Sequence, residues 1–283
     1  MPDESRSLSS LDKPVPGGAG DTLARPRPDW RDPAAYAYTR TLTRDAWAWE
    51  FLRRSPNYRA AFVRSAEPIR RARHTGVRQT TGVDEAAQRW GCFPFENPDR
   101  NASQAAVMWR PDVSSFVLRL RAEAELKHDV APSFAGLRDK ATAIVSMGTT
   151  QHVLFMHNGQ RLQLAVCGGD LFTAQRIFTD IASPRLKQGG TMLRRFNRLA
   201  ARGDLGETVS APAGCGRRLL FVLRALDGAS AGASQQEIAE ALFESRDIKR
   251  DWDSPTGALR HQVRRAIYRG SWLRDGGYLR LLR

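Results

Sequence analysis

Apolar residues first recur at helical spacing between Trp30 and Glu67, where Trp47, Phe51 and Arg54 share a face at i, i+4 and i+7. Trp49 and Leu52 widen that apolar surface, and Ser55-Pro56 restarts the helix, which Tyr58, Ala61 and Phe62 continue. Farther along, the period changes to two. In SSFVLRLRAE, Phe116, Leu118 and Leu120 alternate with Val117, Arg119 and Arg121, the pattern of a half-buried strand, and AAVMWRP reads as another strand. HVLFMHNGQRLQLAV predicts a hairpin, because Asn158-Gly159 supplies the positive φ angles of a tight turn between two alternating runs. Residues 170–183 and 191–202 read as helices. In the second, Leu193, Phe196 and Leu199 lie on one side, with Arg194, Arg195, Arg198 and Arg202 around it as candidate phosphate contacts.

The last part of the chain, from Arg217, has the cadence of a helix-turn-helix. A first helix to Leu226 leads through DGASAGAS, read as a flexible connector, to Ser234, an N-cap with Glu237 three residues later, the spacing of a capping box. Ile238, Ala241 and Leu242 follow, then a connector over residues 244–253 with Ile248 and Trp252 as anchors. Ser254-Pro255 signals a second helix in which Leu259, Val263 and Ile267 share the inward face, while Arg260, His261, Arg264, Arg265 and Arg269 lie away from it. After Gly270, the Gly-Gly turn in SWLRDGGYLRLLR reads as a small hairpin, or wing. Guanidiniums presented from one helix suit phosphate oxygens and guanine edges in a major groove. The bland alternative is a solvated basic face on a bundle helix.

Composition tips this balance toward nucleic acid. The chain has 283 residues and a formal net charge of +14, nearly all of the excess being arginine. Cys92, Cys167 and Cys215 are scattered and the five histidines dispersed, so neither a disulfide framework nor a zinc site is expected, and a reducing cytoplasm is the natural compartment. No apolar run is long enough for a membrane span, and no signal peptide is expected. Phosphate-loop, dinucleotide, zinc-protease and serine-hydrolase motifs are missing. Cys167-Gly168-Gly169-Asp170 reads as a turn after a strand, and Asp251 and Asp253 read as charges favouring the next helix N-terminus. No enzyme, cofactor or metal is expected. Trp47 and Trp49, beside Arg53, Arg54 and Arg59, are either base-stacking side chains or core.

DWRDPAAYAYTRTLTRDAWAWEFLRRSPNYRAAF resembles the transcriptional regulator domain of many alphaproteobacterial proteins, and the sequence from QRLQLAV to the last residue resembles its companion domain of unknown function, regarded as a helix-turn-helix variant. Together they are similar to FseA-type activators of integrative and conjugative elements. That resemblance implies double-stranded DNA as ligand, activation of excision or transfer genes, and two candidate partners: RNA polymerase and a small antagonist sharing the C-terminal domain. By position it places Arg260, His261, Arg264 and Arg265 on a recognition helix, Lys249 and Arg250 beside it, and Arg274 and Arg280 at the wing. Two further readings are a protein-interaction module that titrates a related regulator, and an accessory factor for excision or replication. The expected fold is α+β: a disordered tail over 1–28, a helical N-terminal module over 29–100 and a connecting α/β segment over 101–149. Residues 150–283 complete it as a C-terminal domain with the hairpin and a helix-turn-helix variant with a short wing, and a small antiparallel β section is expected in the middle.

Overall fold

The computed structural model describes residues 28–65, 72–74, 77–81, 84–123, 134–179, 186–206, 213–243, 252 and 257–283. The expected tail, the connector around Lys249 and Arg250, and the start signal at Ser254-Pro255 lie outside them.

The N-terminal module is helical, as its spacing predicts. A 3-10 helix, Pro33–Thr41, is capped by the Asp32 carboxylate, which accepts from Ala34 N. Helix α1 spans Arg44–Leu52 and α2 spans Pro56–Arg64, with the Ser55 hydroxyl accepting from Tyr58 N at the α2 start. Every residue of α1 from Asp45 to Leu52 is buried, which explains why its apolar residues are not confined to one stripe. Trp47 and Trp49 are therefore core side chains, 1% and 0% exposed.

Among the described residues, seven strands form one sheet in the order β1-β2-β4-β5-β6-β3-β7. They are β1 (Ala72–His74), β2 (Val77–Thr81), β3 (Val117–Glu123), β4 (Ala143–Met147), β5 (Thr150–His157), β6 (Gln160–Cys167) and β7 (Arg176–Thr179). The α+β class holds, but the sheet is larger than expected and mixed rather than antiparallel. β2 runs parallel to β4, and β3 runs parallel to β6 on the far edge of the β4–β5–β6 meander. The β5–β6 hairpin turns at Asn158 (φ 48) and Gly159 (φ 74), the two left-handed positions its sequence called for.

Alternation along the strands gives the sheet two buried faces. On one, Leu118, Leu120, Leu162, Leu164 and Val166 pack against Met192, Phe196 and Leu199 of helix α4 (Leu186–Arg202). On the other, Ala143, Val145 and Leu154 meet Phe93, Ala106 and Met108, while Val117 and Ala165 join the helical core. Residues 105–111, expected as a strand, make only one isolated bridge, Cys92 to Trp109. Side chains of β6 do the work of a ladder there. Gln163 accepts from Trp109 N (3.0 Å) and donates to Trp109 O (2.6 Å), and Arg161 donates to the carbonyls of Ala105 (3.0 Å) and Val107 (2.6 Å). Of the helix expected over 170–183, the described part, residues 170–179, is instead a turn followed by β7.

The remaining elements are a four-residue helix α3 (Glu85–Gln88), a 3-10 helix Ala135–Lys140, and the C-terminal helices α5 (Ala213–Ser230), α6 (Gln235–Leu242) and α7 (Ala258–Arg274). A last 3-10 helix, Gly277–Leu281, follows. The expected wing is not a hairpin: α7 runs through Gly270 to Arg274, and the Gly276-Gly277 turn leads into helical, not extended, backbone.

The N-terminal and C-terminal helices share one apolar core, in which Tyr36, Trp47, Phe51 and Trp109 meet Leu223, Leu226, Ile238, Val263, Tyr278 and Leu282. A buried ionic chain crosses this core. Glu50, 0% exposed, accepts from Arg53 Nε (2.7 Å), Arg54 Nη1 (2.7 Å), Tyr38 Oη (2.9 Å) and Ala102 N (2.7 Å). Arg54 then forks onto Asp227 of α5 at 2.6 and 2.7 Å, and the Tyr36 hydroxyl donates to the same carboxylate at 2.7 Å. Burial alone would raise the Glu50 carboxyl, but the Arg53 and Arg54 guanidiniums outweigh it and hold the group below the ordinary range. Tyr38 is pushed up to about 12 by burial and by the Glu50 charge.

Two stability predictions follow from these buried groups. Asp227→Ala strands the Arg54 charge in the core and is expected to cost about 3–5 kcal/mol in urea unfolding. His152 is 3% exposed, its ring 4.2 Å from that of Phe93, and burial lowers its pKa from 6.5 to about 4. The unfolded chain takes up this proton first, so stability contributed by the neutral ring is lost as pH falls from 6.5 toward 4, by on the order of 3 kcal/mol. Urea midpoints across that range are expected to fall less steeply in His152→Phe.

Candidate nucleic-acid interface

Helices α5, α6 and α7 pack around one another, and glycine sets how closely. α6 begins with the capping box its sequence predicted: Ser234 Oγ accepts from Glu237 N (3.2 Å), and Ser234 N donates to Glu237 Oε2 (2.7 Å). The DGASAGAS stretch is not a flexible connector. α5 continues through Gly228 to Ser230, and a Cβ at Gly228 would lie 2.9 Å from Ile238 Cγ1 and 3.1 Å from the Trp30 ring. Gly270 has the same role in α7, where a Cβ would lie 2.8 Å from Leu226 Cβ and 3.1 Å from Val222 O. It is a close-approach point within the helix, which is why it does not end it. Arg224 fixes the assembly by donating to the carbonyls of Trp30 (2.9 Å), Arg31 (2.9 Å) and Ala241 (3.2 Å).

This packing decides which side of α7 meets solvent. Val263, Ala266, Gly270 and Leu273 are buried. At about 100° per residue, the opposite ridge is His261, Arg265, Tyr268 and Trp272, flanked by Arg264 and Arg269. Arg264 Nη2 donates to His261 Nδ1 at 2.8 Å, and since arginine has no acceptor, the imidazole proton sits on Nε2. That bond aims the two side chains as a unit. Arg265 and Arg269 are exposed and make no hydrogen bond or ion pair with any other described residue. Arg260 is exposed as well. Arg274 forks onto Asp275 at 2.7 Å through both Nε and Nη2, so its charge is locally balanced.

The α4 arginines are a separate group, because α4 covers the sheet face turned away from the helical core. Arg195 is half-buried, donates to Arg161 O at 3.0 Å, and is held below the ordinary arginine range by burial. Arg198 is paired with Asp204 at 2.6 Å, and Arg194 donates to the Thr191 hydroxyl at 3.1 Å. Arg202 is exposed.

Tyr268 and Trp272 were not singled out by the sequence. They are 76% and 41% exposed and continue the His261–Arg265 spacing, a signal hidden by reading Gly270 as a helix stop.

Residues 29–94 match the model of a proteobacterial transcriptional regulator-like domain, and residues 182–283 match the model described as T6SS, transcription factor, DNA binding domain. The chain joins a regulator-like domain to a DNA-binding domain. The second match begins just ahead of α4 and takes in α5, α6 and α7, so it covers both arginine groups described above. The strands β3–β7 lie between the two matched segments. No curated protein matches the chain. Among the described residues no helix is long and apolar enough to cross a membrane.

The close contact at Gly270 is testable. Gly270→Val drives a side chain into Leu226 and the α5 backbone, and is expected to destabilise the protein by about 1–3 kcal/mol in urea unfolding.

Proposed function

We propose that the protein is a sequence-specific DNA-binding transcriptional regulator in which α6 and α7 act as a helix-turn-helix pair and the first half of α7 enters the major groove. The observation that carries this reading is the solvent face of α7, where His261, Arg264 and Arg265 stand outward beside Arg260 while Val263 and Ala266 hold the helix to the core. Guanidiniums so placed can fork onto guanine O6 and N7 or onto flanking phosphates. The net charge of +14 favours a polyanionic ligand. Lys249 and Arg250, outside the described residues, belong to the same proposed contact, as do Arg269 and Arg274; the α4 arginines Arg194, Arg198 and Arg202 are candidates for a separate phosphate contact.

In the manner of the FseA-type activators that the sequence resembles, the genes controlled are proposed to be those for excision or transfer of a mobile element. The N-terminal module then faces RNA polymerase, and a small protein resembling the C-terminal domain is the candidate antagonist.

Fluorescence anisotropy with a labelled duplex tests the DNA reading. Each base-reading arginine replaced by alanine is expected to cost about 1–3 kcal/mol. Each lost phosphate contact makes the salt dependence of log K shallower by about 0.9. The Arg260→Ala/Arg264→Ala/Arg265→Ala variant, folded by circular dichroism, is therefore expected to bind far more weakly than the parent. Equal affinity and equal salt dependence would remove α7 from the interface.

A further inference from the structure

The far end of α7 carries features that arginine reading of a groove does not use. Tyr268 and Trp272 stand one turn apart on the same outer ridge as His261 and Arg265, and Trp272 is the one exposed tryptophan of the seven. The Trp272 ring lies against Gly277, so close that a Cβ there would fall 2.5 Å from it. The Arg280 guanidinium sits 5.5 Å from the ring centroid. The indole is thus fixed in position while much of it stays in water. Beside it opens a shallow groove of about 370 Å³, lined by Trp272, Asp275, the two glycines, Leu279, Arg280 and Arg283. Asp275 is occupied by Arg274, so the groove's unbalanced charge is positive.

A large exposed aromatic pair needs a reason, and the charge around it narrows the choice. In a two-fold contact between copies, Arg265, Arg269, Arg280 and Arg283 would be brought against themselves, which opposes self-association. A polyanion with flat apolar faces satisfies both the rings and the guanidiniums. DNA is already the ligand proposed for the first half of the same ridge, about 12 Å away along the helix axis from Arg264 to Trp272.

We propose that this groove is a second DNA contact, in which Arg280 and Arg283 hold the phosphate backbone flanking the segment read by Arg264 and Arg265, and Tyr268 and Trp272 lie against its sugars and base edges. It occupies the place in the chain where the sequence pattern predicts a wing, and it rests on the DNA reading given above. The fixed indole contributes because its position is set before DNA arrives, so little side-chain freedom is lost on binding. Contacts to sugars carry no sequence information directly, whereas phosphate contacts set the salt dependence.

The test uses the full chain and a mixed-sequence duplex of about 24 base pairs, enough for about two helical turns. Anisotropy titrations at several salt concentrations compare the parent, Arg280→Gln/Arg283→Gln, and the Arg260/Arg264/Arg265 alanine variant. The glutamine pair is expected to keep binding, with a slope of log K against log salt shallower by about 2 and affinity lowered at least several-fold at moderate salt. In parallel, duplex is expected to quench intrinsic fluorescence in the parent and much less in Trp272→Phe at equal occupancy. A glutamine pair with the parent's slope, while the alanine variant loses binding, overturns the proposal and leaves the α7 reading intact. A dimer that Tyr268→Glu dissociates without loss of DNA affinity also overturns it. An alanine variant that binds as the parent does overturns the α7 reading itself.

Discussion

Arg54 stands between two buried carboxylates, Glu50 one turn back on α1 and Asp227 on α5, and the placement of the C-terminal helices depends on that arrangement. A buried guanidinium is costly to desolvate, and only a full set of partners at short distance offsets the cost. Arg54 has that set: a bidentate fork on Asp227, a contact to Glu50 Oε2 and one to the Glu50 carbonyl at 2.7 Å. Such a pair adds direction to an otherwise permissive apolar contact. It fixes the azimuth of α5 against α1, and α5 in turn carries Leu226 and Val222, the floor on which α7 rests at Gly270. Orientation of the proposed DNA-facing ridge is therefore set from within the N-terminal module.

The chain's last residues reinforce this dependence. Tyr278 donates to Trp90 O, Ser115 donates to Leu282 O through both its amide and its hydroxyl, and Arg44 donates to Arg280 O. The segment that closes the proposed second contact is held by Arg44 and Trp90 of the regulator-like domain and by Ser115 beyond it, not by α7 alone. The two matched segments, 29–94 and 182–283, meet in this shared core.

Much of this was legible from spacing. The helices around Trp47 and Tyr58, the strand at Val117, the Asn158-Gly159 hairpin and the capping box at Ser234 rest on local chemistry, and local chemistry is what a sequence displays. The basic character of α7 was legible for the same reason. What was lost depended on partners distant in the chain. Residues 105–111 look like a strand, yet their carbonyls are taken by Arg161 and Gln163 side chains. Gly228 and Gly270 look like breakers until Trp30, Ile238 and Leu226 are brought against them, when the absent side chain becomes the reason the helices fit. Reading Gly270 as a stop turned the end of α7 into a wing and concealed the Tyr268–Trp272 pair. The α4 arginines look alike in sequence and differ in place, because Arg195 lies against β6 and Arg198 is held by Asp204.

The central claim is that α7 meets specific DNA from the ridge that this core presents. Genome-wide precipitation of the tagged protein, with the Arg260/Arg264/Arg265 alanine variant in parallel, tests it most directly. The account predicts sharp peaks upstream of a few genes in the parent and their loss in the variant. Peaks that persist in the variant, or a parent that gives no peaks while a related regulator co-purifies, would contradict it.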